Sequence, residues 1–301
     1  MPLWIPITIA AAFLQNLRSA LQKHLKSRMS DVAATTARFF YAWPLALLYL
    51  WGVREVTGDP VPGITTGFAV YLVLGSLTQI LFTFLLIWLF SFRNFAVGNT
   101  FSKTEIAQIA LLGYILLGDP LSLSGGVAVG VSVVGVLVLS AGHSGLGLSN
   151  IAVGLRERST LIGLASGFFL GASVVLFRGA AHALDGGDSV MRAATTVAWS
   201  TAFQTAILCI YLRWREPGQL SRLWRHWRQA GLVSVVSILG SICWVTAFTI
   251  ENAAYVRTLG QVELLFSLFV SVAIFRERIT RLEIVGILLV AGAIGLLMLG
   301  N

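Results

Sequence analysis

Charged residues are scarce in this sequence. Of its 301 residues, 21 are Lys or Arg and 13 are Asp or Glu, 11% in all, where a soluble domain carries about 25%. So little charge cannot clothe a water-facing surface, which excludes a soluble globular protein. Cysteine is nearly absent too. Cys209 and Cys243 both fall inside apolar blocks, where they read as small core residues rather than a disulfide or metal site. Only three lysines occur, Lys23, Lys26 and Lys103, and none follows a glycine. No Walker A loop can form, so ATP-driven pumping by this chain alone is excluded. The four histidines, His24, His143, His182 and His226, lie in or beside loops without ligand spacing, and neither HExxH nor GxSxG occurs. These absences argue against an enzyme and call for no cofactor and no metal.

What the chain has instead is apolar length. Hydrophobic residues make up 56% and the mean hydropathy is +0.83. They come in blocks near twenty residues long, the length that crosses roughly 30 Å of hydrocarbon at 1.5 Å per residue. Spans are predicted at about 4–24, 33–53, 67–91, 95–117, 123–141, 160–183, 189–212, 229–250, 254–275 and 280–300. Backbone groups in lipid have no water partners, so the blocks must be helices. The expected fold is an all-α integral membrane protein with ten transmembrane helices. The first block contains Gln15, Asn16 and Arg18 and lacks a basic flank before it, so it reads as the first span rather than a cleavable signal. Turn residues mark the joints, among them Gly58-Asp59-Pro60, Gly118-Asp119-Pro120 and Glu216-Pro217-Gly218.

The net charge of +8 does not point to nucleic acid, because the cations sit in short loops. Loops after spans 1, 3, 5, 7 and 9 hold fourteen Lys and Arg, and the opposite loops hold only Arg54 and Arg192. By the positive-inside rule the odd loops are cytoplasmic and both termini lie outside.

The two halves echo each other. Ala33-Ala34-Thr35-Thr36 recurs as Ala193-Ala194-Thr195-Thr196, 160 residues on, and Arg18 recurs as Arg178. Further along, an offset of 158 pairs Asn94 with Asn252, Thr100 with Thr258, Glu105 with Glu263 and Asp119 with Glu277. The repeats are predicted at 1–141 and 160–301, joined by a linker at 142–159. Five helices per repeat is an odd number, so the second repeat enters the membrane upside down. Inverted repeats are a transporter signature, with the site near the midplane between them.

Each half also carries a turn and a glycine-rich last helix. The first copy reads Leu117-Gly118-Asp119-Pro120-Leu121, followed by Gly125, Gly126, Gly130 and Gly135; the second reads Phe275-Arg276-Glu277-Arg278-Ile279, followed by Gly286, Gly292 and Gly295. On these residues, and over essentially its whole length, the chain resembles the EamA-type transporters of the drug/metabolite transporter superfamily. Arg276 stands where that family usually has glycine, and family members usually keep their termini in the cytoplasm. The resemblance implies a multi-pass protein of the bacterial inner membrane that moves small metabolites by alternating access, amino acids or related amines first among them. Its partners would be a small-molecule substrate and the lipid bilayer, with proton coupling and a monomer or homodimer left open. A flippase for lipid-linked intermediates on the same scaffold is the alternative; a membrane enzyme and a purely structural subunit fit less well.

Charge inside hydrocarbon costs about 2.5–3.5 kcal/mol on insertion scales, which makes such residues functional candidates. Glu105 and Glu263 lie about ten residues into spans 4 and 9, too deep for a short side chain to reach water. They are candidates for binding substrate or carrying a proton. Asn99 and Lys103 share a face of span 4, and their repeat mates Arg257 and Gln261 share the matching face of span 9. These four are expected to line a cavity formed by spans 3, 4, 8 and 9, the bland reading being a salt-bridge network with the two glutamates. Trp88 and Trp244 are candidates for the aromatic wall of that cavity, with packing as the plain alternative. Arg18, Arg38 and Arg178 lie one to two turns from span ends and are expected to snorkel. Gly163, Gly167 and Gly171 form a double GxxxG on span 6, a surface for close helix contact.

Overall fold

The computed structural model describes residues 2–25, 28–89, 91–92, 102–143, 158–264, 266 and 280–300. Asn99, the turn 275–279 and most of the linker 142–159 lie outside the described residues. The described chain is helical throughout: α1 (Trp4–Leu25), α2 (Asp31–Thr36), α3 (Ala42–Thr57), α4 (Thr66–Leu89), α5 (Glu105–Leu117), α6 (Leu123–His143), α7 (Arg158–His182), α8 (Ser189–Arg215), α9 (Gln219–Arg225), α10 (Trp227–Ile250), α11 (Ala253–Gly260) and α12 (Arg281–Gly300). Four of them, α4, α7, α8 and α10, are long and apolar enough to cross a membrane, and α5 and residues 123–139 are shorter apolar helices. Gly58 and Gly118 close α3 and α5 in the left-handed conformation, at φ +71° and +66°, which only glycine adopts without a Cβ penalty.

Two features depart from the spans read off the sequence. The segment 213–228 is not a plain loop, because α9 lies within it. The stretch 33–53 is not one helix either. It breaks between α2 and α3, where Ala37–Tyr41 run as tight turns. Pro44, in the first turn of α3, has no N–H to continue a helical ladder from Phe40. A break at membrane depth strands backbone groups, and neighbouring helices satisfy them. Ser234 on α10 donates to the Ala37 carbonyl (2.6 Å) and accepts from the Tyr41 N–H (3.2 Å), while Thr205 on α8 donates to the Phe39 carbonyl (3.1 Å).

α4 packs along α7, α1 along α10, α3 along α8, and α6 along α12, while α5 meets both α7 and α11. Glycines set the closest approaches. A Cβ on Gly286 would sit 2.5 Å from the Leu139 backbone, so α12 rests directly on the α6 main chain. A Cβ on Gly167 would sit 2.6 Å from the Ser102 carbonyl oxygen, which assigns this part of the GxxxG surface on α7 to the residues leading into α5. At one end of the bundle Ser30 bonds Glu216, and Arg28 reaches Gln229 at 3.0 Å. At the other end the backbones of Gly63 and Asp185 pair. Loops 1 and 7 thus share one end, and loops 2 and 6 the other.

Candidate functional site

A cavity of about 580 Å³, counting the space at its mouth, lies where the α2–α3 break meets α1, α4, α7, α8 and α10. Among the described residues three guanidinium groups line it, those of Arg18 on α1, Arg38 in the break and Arg257 on α11, and no carboxylate does. Phe82, Phe177, Trp244 and Phe248 are among its aromatic residues, and Gln15, Gln79, Ser200 and Ser241 among its neutral polar ones. Trp244 stacks on Phe248 with ring centroids 5.3 Å apart, and the Arg257 guanidinium lies 4.9 Å from the Trp244 ring centroid. That geometry pins the indole by a cation–π contact.

Behind this wall the charged residues of spans 4 and 9 pair crosswise. Arg257 donates from Nε to Glu105 Oε1 at 2.6 Å, and its Nη2 also contacts that oxygen. Both side chains are 2% exposed. Lys103 Nζ lies 2.5 Å from Glu263 Oε1, and Gln15 donates to Glu263 Oε2 at 2.9 Å. Asn16 donates to the Glu263 carbonyl at 3.0 Å. The polar residues Gln15 and Asn16, an anomaly in an apolar helix, are thus explained by what they hold. Gln261 turns back to the Arg257 carbonyl (3.3 Å). Both paired helices are interrupted at the pairs: residues 103–104 form a turn before α5, and Gln261 forms one after α11. A buried ion pair of this kind costs several kcal/mol to break from one side, because it strands the remaining charge.

The candidates from the sequence therefore divide. Arg257 and Trp244 face the cavity; Glu105, Glu263 and Lys103 stand behind it as the partners that hold the wall, with Gln261 bonded to Arg257. Trp88 is 40% exposed and packs between Phe84 and Phe92, away from this cavity. The lining comes from spans 1, 2, 6 and 7 as well as 3, 8 and 9, while among the described residues span 4 reaches it through the bond of Glu105 to Arg257. Snorkelling does not describe the three arginines. Arg18 and Arg38 are 5% and 4% exposed and turn into the cavity. Arg178 pairs with Asp119 through Nε (2.9 Å) and Nη2 (3.3 Å) and donates to the carbonyls of Phe248 and Glu251. The acid of the first turn motif thereby ties the end of α5 to α7 and to the end of α10. The signal for Arg18 and Arg38 was present in the sequence: an arginine one helical turn from Gln15, and another six residues before a proline inside an apolar block.

Twenty-six chains of known structure resemble this fold. One of them, a crystal structure of a protein 13% identical in sequence, superposes with a TM-score of 0.70 over 98% of this chain and 96% of its own. At that identity the likeness establishes the fold alone. No functionally curated protein matches the chain. The sequence model of the EamA-like transporter family matches residues 158–299. That segment is similar to the EamA-like transporter family, part of the drug/metabolite transporter superfamily, and together with the apolar helices the match supports a multi-pass membrane protein.

Proposed function

We propose that this protein is a secondary transporter that moves a small polar or amphiphilic metabolite by alternating access, with two inverted five-helix repeats, 1–141 and 160–301, rocking around the arginine-lined cavity. The helix contacts support the repeat. A twofold axis that maps each span onto the one five later exchanges α1–α10 (spans 1 and 8) with α4–α7 (spans 3 and 6). The same operation returns α3–α8, α5–α11 and α6–α12 to themselves. The crosswise pairs Glu105–Arg257 and Lys103–Glu263 each join one repeat to the other. They are placed to latch the repeats in one state.

The observation that carries this reading is the cavity itself: buried cations and aromatic faces around a broken helix, backed by ion pairs that join the two halves. Broken helices at membrane depth are where transporters build their sites. Amino acids and related metabolites are the cargo that the family suggests. Counterflow into proteoliposomes tests it, with a panel of labelled amino acids, organic acids and amines. Uptake of at least one class is expected, and the Glu105→Leu/Arg257→Met pair, which removes the latch without leaving a lone charge, is expected to slow it at least tenfold. Wild-type rates in that variant would overturn the role of the pair. Activity confined to long-chain, lipid-linked solutes would replace the reading with a flippase.

A further inference from the structure

We infer that the cavity recognises an oxyanion, the carboxylate or phosphate head of an amphiphilic cargo, with Arg18 and Arg38 as the recognition pair. The inference rests on the transport reading above and narrows its substrate class. Arg18 is 5% exposed, and among the described residues it has no hydrogen-bond or ion-pair partner, its Nε included. Arg38 gives one Nη1 hydrogen to Thr83 (2.9 Å) and leaves its Nε equally unpartnered at 4% exposure. Both groups line the cavity, whose wall has no carboxylate among the described residues.

Among the described residues the charges around the cavity do not cancel. Glu105 neutralises Arg257, and Lys103 neutralises Glu263. Arg18 and Arg38 remain, repelling each other, with Arg18 also repelled by Arg257 and attracted through space by Glu263. A buried arginine kept for structure is given partners, as Arg178 is given Asp119 and two backbone carbonyls. Arg18 is the repeat mate of Arg178 and has none of these. Its donors are left for a group that arrives from outside. A guanidinium fork matches the two oxygens of a carboxylate or the face of a phosphate. Phe82, Trp244 and Phe248 in the same wall suit an apolar body behind that head. Amines are disfavoured by the same excess of positive charge.

The test uses the full chain in nanodiscs of uncharged lipid. The probes are 3-phenylpropionate, phenyl phosphate, 3-phenylpropionamide, 3-phenylpropylamine and inorganic phosphate, with binding read by calorimetry and melting temperature. Either aromatic anion is expected to bind at least tenfold more tightly than the amide, with the stronger of the two naming the head group, and the amine is expected not to bind. Arg18→Gln and Arg38→Gln are each expected to weaken the anion at least tenfold, about 1.4 kcal/mol. Arg38→Lys, which keeps the charge and loses the fork, is expected to weaken it as well. Without ligand, Arg18→Gln is expected to melt no lower than wild type, whereas a structural arginine would lower the melting point. Equal binding of amide or amine, wild-type affinity in the arginine variants, no binding of either aromatic anion, or a lower melting point for Arg18→Gln would each overturn the inference. Counterflow separates it from the transport reading. Carriage of neutral or cationic solutes alone would sink the inference and leave transport standing. Oxyanion binding without flux of any solute would do the reverse.

Discussion

Glu105→Gln is the substitution whose cost follows most directly from the geometry. Glu105 and Arg257 are both 2% exposed, and Arg257 Nε and Nη2 converge on one carboxylate oxygen. Glutamine keeps an acceptor in place but removes the charge, leaving Arg257 buried with Trp244 on one face. Breaking a buried pair from one side costs about 3–5 kcal/mol, whereas removing both charges with groups of similar volume is close to neutral. Glu105→Gln is therefore expected to lose about 3 kcal/mol or more, and Glu105→Leu/Arg257→Met about 1 kcal/mol or less. The assay is reversible unfolding in mixed micelles followed by tryptophan fluorescence, with all four corners of the double-mutant cycle measured. A single variant within about 1 kcal/mol of wild type, or a cycle with no coupling, would refute the ion-pair reasoning.

Three further outcomes follow from contacts elsewhere. Gly167→Ala places a methyl 2.6 Å from the Ser102 carbonyl, so overpacking is expected to cost about 1–3 kcal/mol; an unchanged melting curve would show that α7 does not press on that carbonyl. Ser234→Ala strands the Ala37 carbonyl and the Tyr41 N–H at the helix break, at about 1–3 kcal/mol, and Ser234→Thr, which restores a hydroxyl, should recover most of it in the same melt. Trp88→Leu should leave ligand affinity unchanged and Trp244→Leu should weaken it severalfold, because only Trp244 lines the cavity; equal effects on binding isotherms would contradict that placement.

Much of this was legible in the sequence, for identifiable reasons. Apolar blocks declare helices because lipid offers the backbone no other partner. Glu105, Glu263, Lys103 and Arg257 declare themselves because charge in hydrocarbon must be matched. The break within 33–53 was not legible, because hydropathy averages over it and its support comes from Thr205 and Ser234, far along the chain. Whether Arg18 turns outward to headgroups or inward to a cavity depends on α1 packing against α10 and α11. On α4 the polar stripe Ser76, Gln79 and Thr83 marks the face turned inward, and Trp88 lies off that stripe. The crosswise pairing is likewise tertiary: a repeat shows that Glu105 and Glu263 correspond, not that each is held by a cation of the other half.

Accessibility of the cavity from both membrane faces is the property on which alternating access stands. Ser200 on α8 lines the cavity and is 5% exposed. With Cys209 and Cys243 replaced by alanine, Ser200→Cys is the single thiol to follow in right-side-out and inside-out vesicles with a membrane-impermeant maleimide. Labelling from both faces, slowed in each by a bound ligand, is the expected result; labelling from one face alone, or from neither, would contradict a transporter that opens this cavity alternately.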